Sequence, residues 1–386
     1  RQTCRAVALT ADGEGQARRI ASDRTIRAVE RIARNDPRHA VGTDVWDVDD
    51  HLLNTPAGIV DLVTGELSRH RRDAMCTRIT RASPGGDAPL WRGFLARVTG
   101  GDEEMAAYLA RLCGYALTGD TGEHAFFFLH GSGANGKSVF IDTVSWVMGD
   151  YATAASPQLF IESRFQSHRT DLAALAGARL VSASEIEAGQ TWAEARIKLL
   201  TGGDRVRARF LYKDEFEFTP RLKLVLSSNH LPRLKSVGEA MRRRLHLVPF
   251  DVEIPEQERD RGLQGRMKAE ADGILAWMLQ GCADWREQGL APPRRVRAAS
   301  ARYFEEEDAV GDWLAECCEL GPDLRDTTQR LYDSWRRWAE GSGLAVGTKR
   351  ALGRELAARG CVNGRGAGGV RLWTGLRLRG GAGEGA

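Results

Sequence analysis

The sequence predicts an α/β fold around a P-loop core, with a mixed segment before it and a winged-helix unit after it. Three observations carry that prediction. The run "AFFFLHGSGANGKSVF" passes from an apolar strand through a glycine-rich turn into a helical pattern. Between residues 121 and 255, short apolar runs alternate with helical stretches, the pattern of a parallel sheet buried on both faces. Residues 301–386 hold three helical patterns and then an alternating hairpin, the element order of a winged helix-turn-helix.

The bulk numbers set bounds. A chain of 386 residues is long enough for about two or three domains, each with its own core. The 42% hydrophobic content is ordinary for a globular protein, and the abundance of Gly and of Arg over Lys suggests a GC-rich coding genome. A net charge of +3 defines no partner; its distribution does. Seven cysteines (Cys4, Cys76, Cys113, Cys282, Cys317, Cys318, Cys361) form no CxxC pair and have no histidines at zinc spacing. They read as reduced, mostly buried thiols of a cytosolic protein, with the vicinal pair Cys317-Cys318 packed inside an amphipathic helical pattern. No stretch nears the roughly 20 apolar residues that cross a bilayer, so no membrane partner is expected, and no signal peptide is read. The chain opens on Arg1 rather than Met, and a further segment upstream is expected to lie outside it.

Along the chain, residues 1–120 mix short helical patterns with strand-like pieces around "DHLLNTPAGIVDLVTGELS", where "TPAG" and "TG" signal turns. A helix is expected in "EEMAAYLARLCGYAL", with Ala107, Leu109, Leu112 and Leu117 on or near one face. Residues 121–255 contain the strands "AFFFLHG", "ARLVSASE" and "RLKLVLSSN" and the helix "GKSVFIDTVSWVMG". Residues 256–300 read as helical and end at Pro292-Pro293; residues 301–386 form the separate last unit, with a disordered tail "GGAGEGA".

Gly131-Ser132-Gly133-Ala134-Asn135-Gly136-Lys137-Ser138 matches GxxxxGK[ST] in its required context, a strand before and a helix after. The glycines let successive N–H groups face phosphates, and the helix start adds positive potential. Lys137 is expected to reach the β- and γ-phosphates of ATP and Ser138 to ligate Mg²⁺. The strand "LVSASEIE" then offers a carboxylate for the ion and the attacking water: Glu185 first, Glu187 as the alternative. Asn229 ends the strand "LKLVLSSN", where an amide can orient water or contact the γ-phosphate; read alone it is equally a turn-forming residue. Arg242, Arg243 and Arg244 precede an apolar strand, the setting for a guanidinium presented to a neighbour's γ-phosphate, or else a solvated basic turn.

Residues 196–213, "RIKLLTGGDRVRARFLYK", carry six basic side chains against one acid, with Phe210 and Tyr212 interleaved. Alternation puts Arg205, Arg207 and Arg209 on one strand face, a basic hairpin suited to single-stranded nucleic acid. Residues 343–386 have eight Lys/Arg against two Glu, and Arg350 and Arg354 share a helix face. In a winged helix this third helix meets a DNA groove or its phosphates; a protein-binding unit is the competing reading.

With these motifs in order, the chain resembles the helicase part of phage and plasmid primase-helicases of superfamily 3, related to the satellite-phage alpha replication protein and the poxvirus primase-helicase. "GSGANGKS", "RLVSASEIE", "IKLLTGGDRVRARFLYK", "LVLSSN" and "RRRLHLVPF" carry the resemblance, with "NTPAGIVDLVTGELSRH" and "LARLCGYALTGD" upstream. It implies an AAA+-like ATPase core at 121–255, a collar-like segment at 1–120, a helical extension at 256–300 and the winged helix at 301–386. It also implies a ring, usually a hexamer, that encircles single-stranded DNA and unwinds forks 3′ to 5′. Lys137 and Ser138 match the P-loop positions, Glu185 the acidic motif and Asn229 the sensor. Arg243 and Arg244 match the pair that contains the arginine finger, Lys198 a lysine particular to the superfamily, and Lys213 a basic residue near the pore-hairpin tip. Ser184 departs from the pattern, standing where many P-loop ATPases carry a second carboxylate. A primase, as a domain upstream of Arg1 or a separate protein, is an expected companion, and a bacterial cytoplasm the expected location. Two other readings compete with a motor: a DNA-binding initiator that ATP only locks, and a small-molecule kinase, which leaves the basic hairpin unexplained.

Overall fold

The computed structural model describes residues 2–37, 41–162, 169–234, 238–344 and 346–379; the expected disordered tail lies outside them. The chain divides into two compact units, Arg1–Asp49 with Arg71–Thr77, and Asp50–His70 with Arg78–Ala386. The smaller contains α1 (Gln2–Leu9), α2 (Glu14–Ile20) and α3 (Asp23–Arg34). Ser22 caps α3 by accepting from the Thr25 amide, and the ion pairs Arg27–Asp23 and Arg34–Glu30 line its exposed side.

The larger unit opens with an antiparallel meander, β1 (Leu52–Thr55), β2 (Gly58–Asp61) and β3 (Leu67–Ser68). Its first turn is the "TPAG" read from the sequence, with Thr55 opposite Gly58. Next come α4 (Pro89–Thr99) and α5 (Glu103–Leu117). Leu109, Leu112 and Leu117 are buried as expected, but Ala107 is exposed, and from Tyr108 to Leu117 every residue of α5 is buried. This helix is wrapped on all sides, so its pattern is not that of a half-exposed helix.

The central region runs β4 (Phe126–His130), α6 (Lys137–Met148), β5 (Ala152–Ala154), α7 (Arg169–Ala173), β6 (Leu180–Ser184), α8 (Glu194–Thr201), β7 (Val206–Arg209), β8 (Glu215–Phe218), β9 (Lys223–Ser228), α9 (Glu239–Arg242) and β10 (Leu245–Pro249). Five of these strands form one sheet in the order β10-β4-β9-β6-β5, every pair parallel. The apolar run Phe126 to Leu129 of β4 follows from having both faces covered. Phe127 and Leu129 pack with α4, α5 and α6, while Phe126 and Phe128 pack with Trp192 on the other side. Strands β7 and β8 stand apart as an antiparallel hairpin.

β9 begins with a fully buried cation. The Lys223 ammonium donates to the carbonyls of Thr118, Asp120 and Arg221 and lies 4.7 Å from the centre of the Tyr115 ring. It thereby closes the carboxyl end of α5, where a positive charge opposes the helix dipole, and burial holds its pKa well below the ordinary lysine value.

After the sheet come α10 (Leu263–Met267), α11 (Ala271–Gln288) and α12 (Arg294–Glu306). Pro292-Pro293 precede a helix rather than closing the helical stretch, because proline is tolerated at a helix start. α12 therefore runs through residue 300, and its Ser300 hydroxyl accepts from the Leu247 amide of β10 at 2.9 Å. α5 and α11 approach closely at two glycines: a Cβ on Gly114 would lie 2.0 Å from the Cys282 nitrogen, and one on Gly281 2.0 Å from the Ala110 oxygen. Both obstacles are backbone, so Gly281→Val is expected to force the helices apart and lower stability by about 3 kcal/mol. Thermal unfolding followed by circular dichroism reads this; a shift below about 2 °C would contradict it.

The final elements are α13 (Ala309–Cys317), β11 (Cys318–Thr327), α14 (Thr328–Gly341), α15 (Lys349–Ala358), β12 (Val362–Arg365) and β13 (Arg371–Leu378). The three strands form an antiparallel sheet, β11-β13-β12, around a core of Trp313, Trp335, Leu352, Leu356 and Trp373. A strand thus follows the first of the three helices, which the sequence reading lacked. The vicinal cysteines straddle that junction: Cys317 ends α13, and Cys318 opens β11 and joins the core. All seven cysteines are free thiols.

Candidate functional site

The glycine-rich loop leaves the carboxyl end of β4 and enters α6 at Lys137. Gly133 (φ +115°), Ala134 (φ +49°) and Gly136 (φ +86°) take left-handed conformations that curl the backbone around a concave space. A side chain at Gly136 would strike Val98 of α4, at 2.6 Å. The loop is braced from β10: the Asn135 side-chain amide donates to the Phe250 carbonyl at 2.8 Å, and the Ile254 amide to the Ala134 carbonyl at 2.9 Å.

Lys137 is buried, and its ammonium donates to the Gly131 carbonyl (2.8 Å), to Asn135 Oδ1 (3.0 Å) and to Asn229 Oδ1 (3.0 Å). All three acceptors are neutral, and burial lowers the lysine pKa from its ordinary value. A cleft of about 740 Å³ opens over this lysine, lined by Gly133 to Val139, Ser184 to Ala188 and Ser227 to His230. Adjacent parallel strands end here, the place where open α/β sheets form clefts.

Ser138, Glu185, Glu187 and Asn229 all line that cleft and are exposed to it. Glu185 follows the end of β6 with φ +65°, rare for a side chain of its kind, and its amide donates to the Ser227 carbonyl of β9 at 3.1 Å. Ile186 is buried between the two carboxylates. Gly131 and Asn135 are buried at the loop base, and Ser132 is exposed. His230, not singled out from the sequence, also lines the cleft; its only signal was its place after Asn229.

Arg243 and Arg244 are elsewhere. They precede β10, whose first residue, Leu245, pairs with Phe126 at the start of β4. The P-loop leaves the far end of β4, five residues away, about 16 Å along the strand. The two arginines also differ. Arg243 is exposed, whereas Arg244 is buried and donates to Thr201 Oγ1 (3.3 Å) and the Ala240 carbonyl (2.9 Å). Arg242 stacks on Phe304, 5.0 Å from the ring centre.

In the β7–β8 hairpin, Val206 and Ala208 face inward while Arg207 and Arg209 face out, as alternation required. Its tip exposes Phe210, Leu211 and Tyr212, the last 95% accessible, and Lys213 lies 5.9 Å from the centre of the Phe210 ring. The return strand is acidic, and Arg207 pairs with Glu217 at 2.7 Å. The sequence window ended at Lys213 and missed this partner. Lys198, on α8 ahead of the hairpin, pairs with Glu194 at 3.1 Å. Arg350 and Arg354 are exposed on α15.

Two family models match the chain: "D5 N terminal like" over residues 1–100, and a family described only as of unknown function (DUF5906) over residues 129–244. The chain is similar to "Putative helicase L207/L206" of Acanthamoeba polyphaga mimivirus, 26% identical over 321 residues, covering 76% of this chain and 33% of that protein. "Putative helicase 022R" of Frog virus 3 (isolate Goorha) is 24% identical over 284 residues, covering 68% and 29%. The chain is thus similar to viral proteins named as putative helicases, and its first hundred residues to the D5 N-terminal-like family. It spans about a third of the length of these two curated relatives. A likeness to the solved "A form apo structure of NrS-1 C terminal region" has a TM-score of 0.48 at 12% identity and covers 77% of each chain. The second family model spans the P-loop, β6 with Glu185 and Glu187 after it, the β7–β8 hairpin and Asn229, and ends at Arg244. Among the described residues no helix is long and apolar enough to cross a membrane.

Proposed function

We propose that this chain is the motor part of an ATP-dependent replicative DNA helicase of a phage or mobile element, acting in a bacterial cytoplasm. It works as a homo-oligomeric ring, a hexamer by family expectation, and moves 3′ to 5′ on single-stranded or forked DNA. One observation supports this most: the Lys137 ammonium meets Asn229 Oδ1 at 3.0 Å across a cleft that Ser138, Glu185 and Glu187 also line. A lysine, a hydroxyl, a carboxylate and an amide at one phosphate-sized opening are the parts phosphoryl transfer to water requires.

In this reading Lys137 turns from Asn229 toward the β- and γ-phosphates, and the α6 amino terminus adds its amides. Mg²⁺, when bound, supplies charge neutralisation between the phosphates. Such an ion keeps waters and phosphate oxygens as ligands, so Ser138 with Glu185 or Glu187 fits it. Among the described residues no three His, Cys, Asp or Glu side chains gather into a metal site of their own. Asn229, freed from Lys137, orients the attacking water. Arg243, remote from its own P-loop, serves the site of the next subunit. Arg207, Arg209 and Lys213 contact the single strand, with Lys198 supporting the hairpin base.

The sheet order β10-β4-β9-β6-β5 supports an AAA+-like core for residues 121–255. Three helices around β11-β13-β12 support a winged helix at the carboxyl end; because α12 runs through residue 300, we draw its start after Glu306. Residues 1–120 are the proposed collar-like segment, and a primase, fused or separate, the proposed companion.

ATP turnover with and without a single-stranded oligonucleotide tests the motor. Stimulation of about tenfold or more is expected, roughly 1.4 kcal/mol of barrier. A flat response combined with tight DNA binding would replace the motor by an ATP-locked initiator.

A further inference from the structure

Strand β4 ends at His130, the residue before the glycine-rich loop. In the parallel sheet it stands level with Ser228 of β9 on one side and Pro249 of β10 on the other. Two acceptors of the Lys137 ammonium therefore flank it: Gly131, next in the chain, and Asn229, which follows Ser228. The His130 carbonyl accepts from the Phe250 amide at 2.7 Å, which fixes its backbone. Strand alternation puts the half-buried side chain on the face of Phe126 and Phe128. There it lines a cavity of about 300 Å³ with Leu231, Leu247, Asp251, Arg302 and Tyr303, and it is not part of the nucleotide cleft.

The ring makes a hydrogen bond to the Asn229 backbone that favours its protonated form, so a ring N–H donates to the Asn229 carbonyl. Burial nonetheless holds its pKa below the ordinary histidine value, and the charges of Lys137 and Arg302 push the same way against Asp251. The other charges lining the cavity are taken: Arg302 pairs with Glu306 and Asp251 with Arg295. The ring is thus an uncharged donor close to Lys137, where a cationic one would repel the ammonium.

The Asn229 side chain has a definite aim. Its Oδ1 meets Lys137 at 3.0 Å, and its amide nitrogen lies 3.7 Å from where a Cβ on Gly133 would stand. Asn229 is exposed, so packing does not hold it there. Its flanks are anchored elsewhere: the Ser228 hydroxyl donates to the Ile186 carbonyl at 2.7 Å, and the Tyr303 hydroxyl to the Pro232 carbonyl. We infer that His130 is a positioning residue: by holding the Asn229 carbonyl, it fixes the aim of the Asn229 amide at Lys137 and at the nucleotide cleft. Misplacing such a group by about 1 Å costs up to about 10²-fold in rate. The consequence for turnover rests on the function proposed above; the contact itself does not.

The test uses the full chain. In His130→Leu, kcat for ATP is expected to fall about tenfold while KM stays within about twofold, with a circular dichroism spectrum like that of wild type. His130→Asn and His130→Gln place an N–H donor near the sites of Nδ1 and Nε2, and one of them should recover turnover to within about threefold of wild type. In an Asn229→Ala background, where there is no amide left to aim, His130→Leu should cost less than about twofold. Full turnover in His130→Leu overturns the inference. So do equal losses in all three His130 variants, or an undiminished loss in the Asn229→Ala background. Histidine-selective ¹⁵N NMR of the nucleotide-free wild type reads the contact directly, the His130 signal being assigned by its absence from a variant. At pH 6.5, where an ordinary histidine is about half charged, this ring should be mostly neutral with one slowly exchanging N–H. A ring that titrates like a free histidine overturns the inference as well. Absence of ATP turnover in the wild type would count instead against the proposed function, and the ring spectrum would still decide the contact.

Discussion

Replacing Lys137 with alanine is expected to lower ATP turnover by about 10²–10³-fold, the scale for removing one preorganised donor from a developing charge. The fold should survive. Of the three oxygens that lose the ammonium, those of Asn135 and Asn229 belong to residues that line the open cleft and can take water instead, while that of Gly131 lies at the buried loop base. Solvated acceptors of this kind cost about 1 kcal/mol or less. Turnover, single-strand unwinding and thermal midpoint measured together separate chemistry from folding. Turnover within tenfold of wild type would remove Lys137 from the mechanism, and unwinding without turnover would remove the motor.

The second large effect separates two adjacent arginines. Arg243→Ala is expected to cost about 10³-fold in turnover, the lower range for an arginine acting on a transferring phosphoryl group, with an unchanged thermal midpoint, because its side chain is exposed. Arg244→Ala should instead cost about 2 kcal/mol of stability, since a packed guanidinium and its bonds to Thr201 and Ala240 are lost. Mixing Arg243→Ala with wild-type chains should depress turnover more steeply than dilution alone, because each altered subunit silences a neighbour's site. A linear decline, or an Arg243 variant with full activity, would count against action in trans.

Much of the core was legible because its signals are local. The alternation "FFFLH" feeds two separate packing layers, and a lysine follows three left-handed loop residues. The acidic strand and the Asn-ended strand reach one cleft because parallel neighbours must end together. What stayed hidden depends on distant partners. Lys223 sits in a strand that reads as apolar, and its burial depends on the carbonyls of Thr118 and Asp120, about a hundred residues earlier, beside that of nearby Arg221. β11 contains Gly321-Pro322 and a register shift between Leu320 and Arg325, so its pattern reads as a loop. Nothing local distinguishes Arg243 from Arg244 in a row of three; the difference lies in Thr201 at the end of α8. The basic window around the hairpin looked stronger than it is because Glu217 falls just beyond it.

Strand β10 has one consequence beyond its place in the sheet. Just past its carboxyl end, Phe250 holds the side chain of Asn135 in the P-loop, and just before its amino end stands Arg243. In the proposed ring, one stiff strut therefore touches a subunit's own nucleotide at one tip and the next subunit's at the other. Its flanks are fixed by parallel pairing to β4 and by the Ser300 bond to α12, so it moves as a rod or not at all. In such a ring, events at successive sites would be coupled through this strand, with the Asn135–Phe250 bond as its link to the subunit's own P-loop.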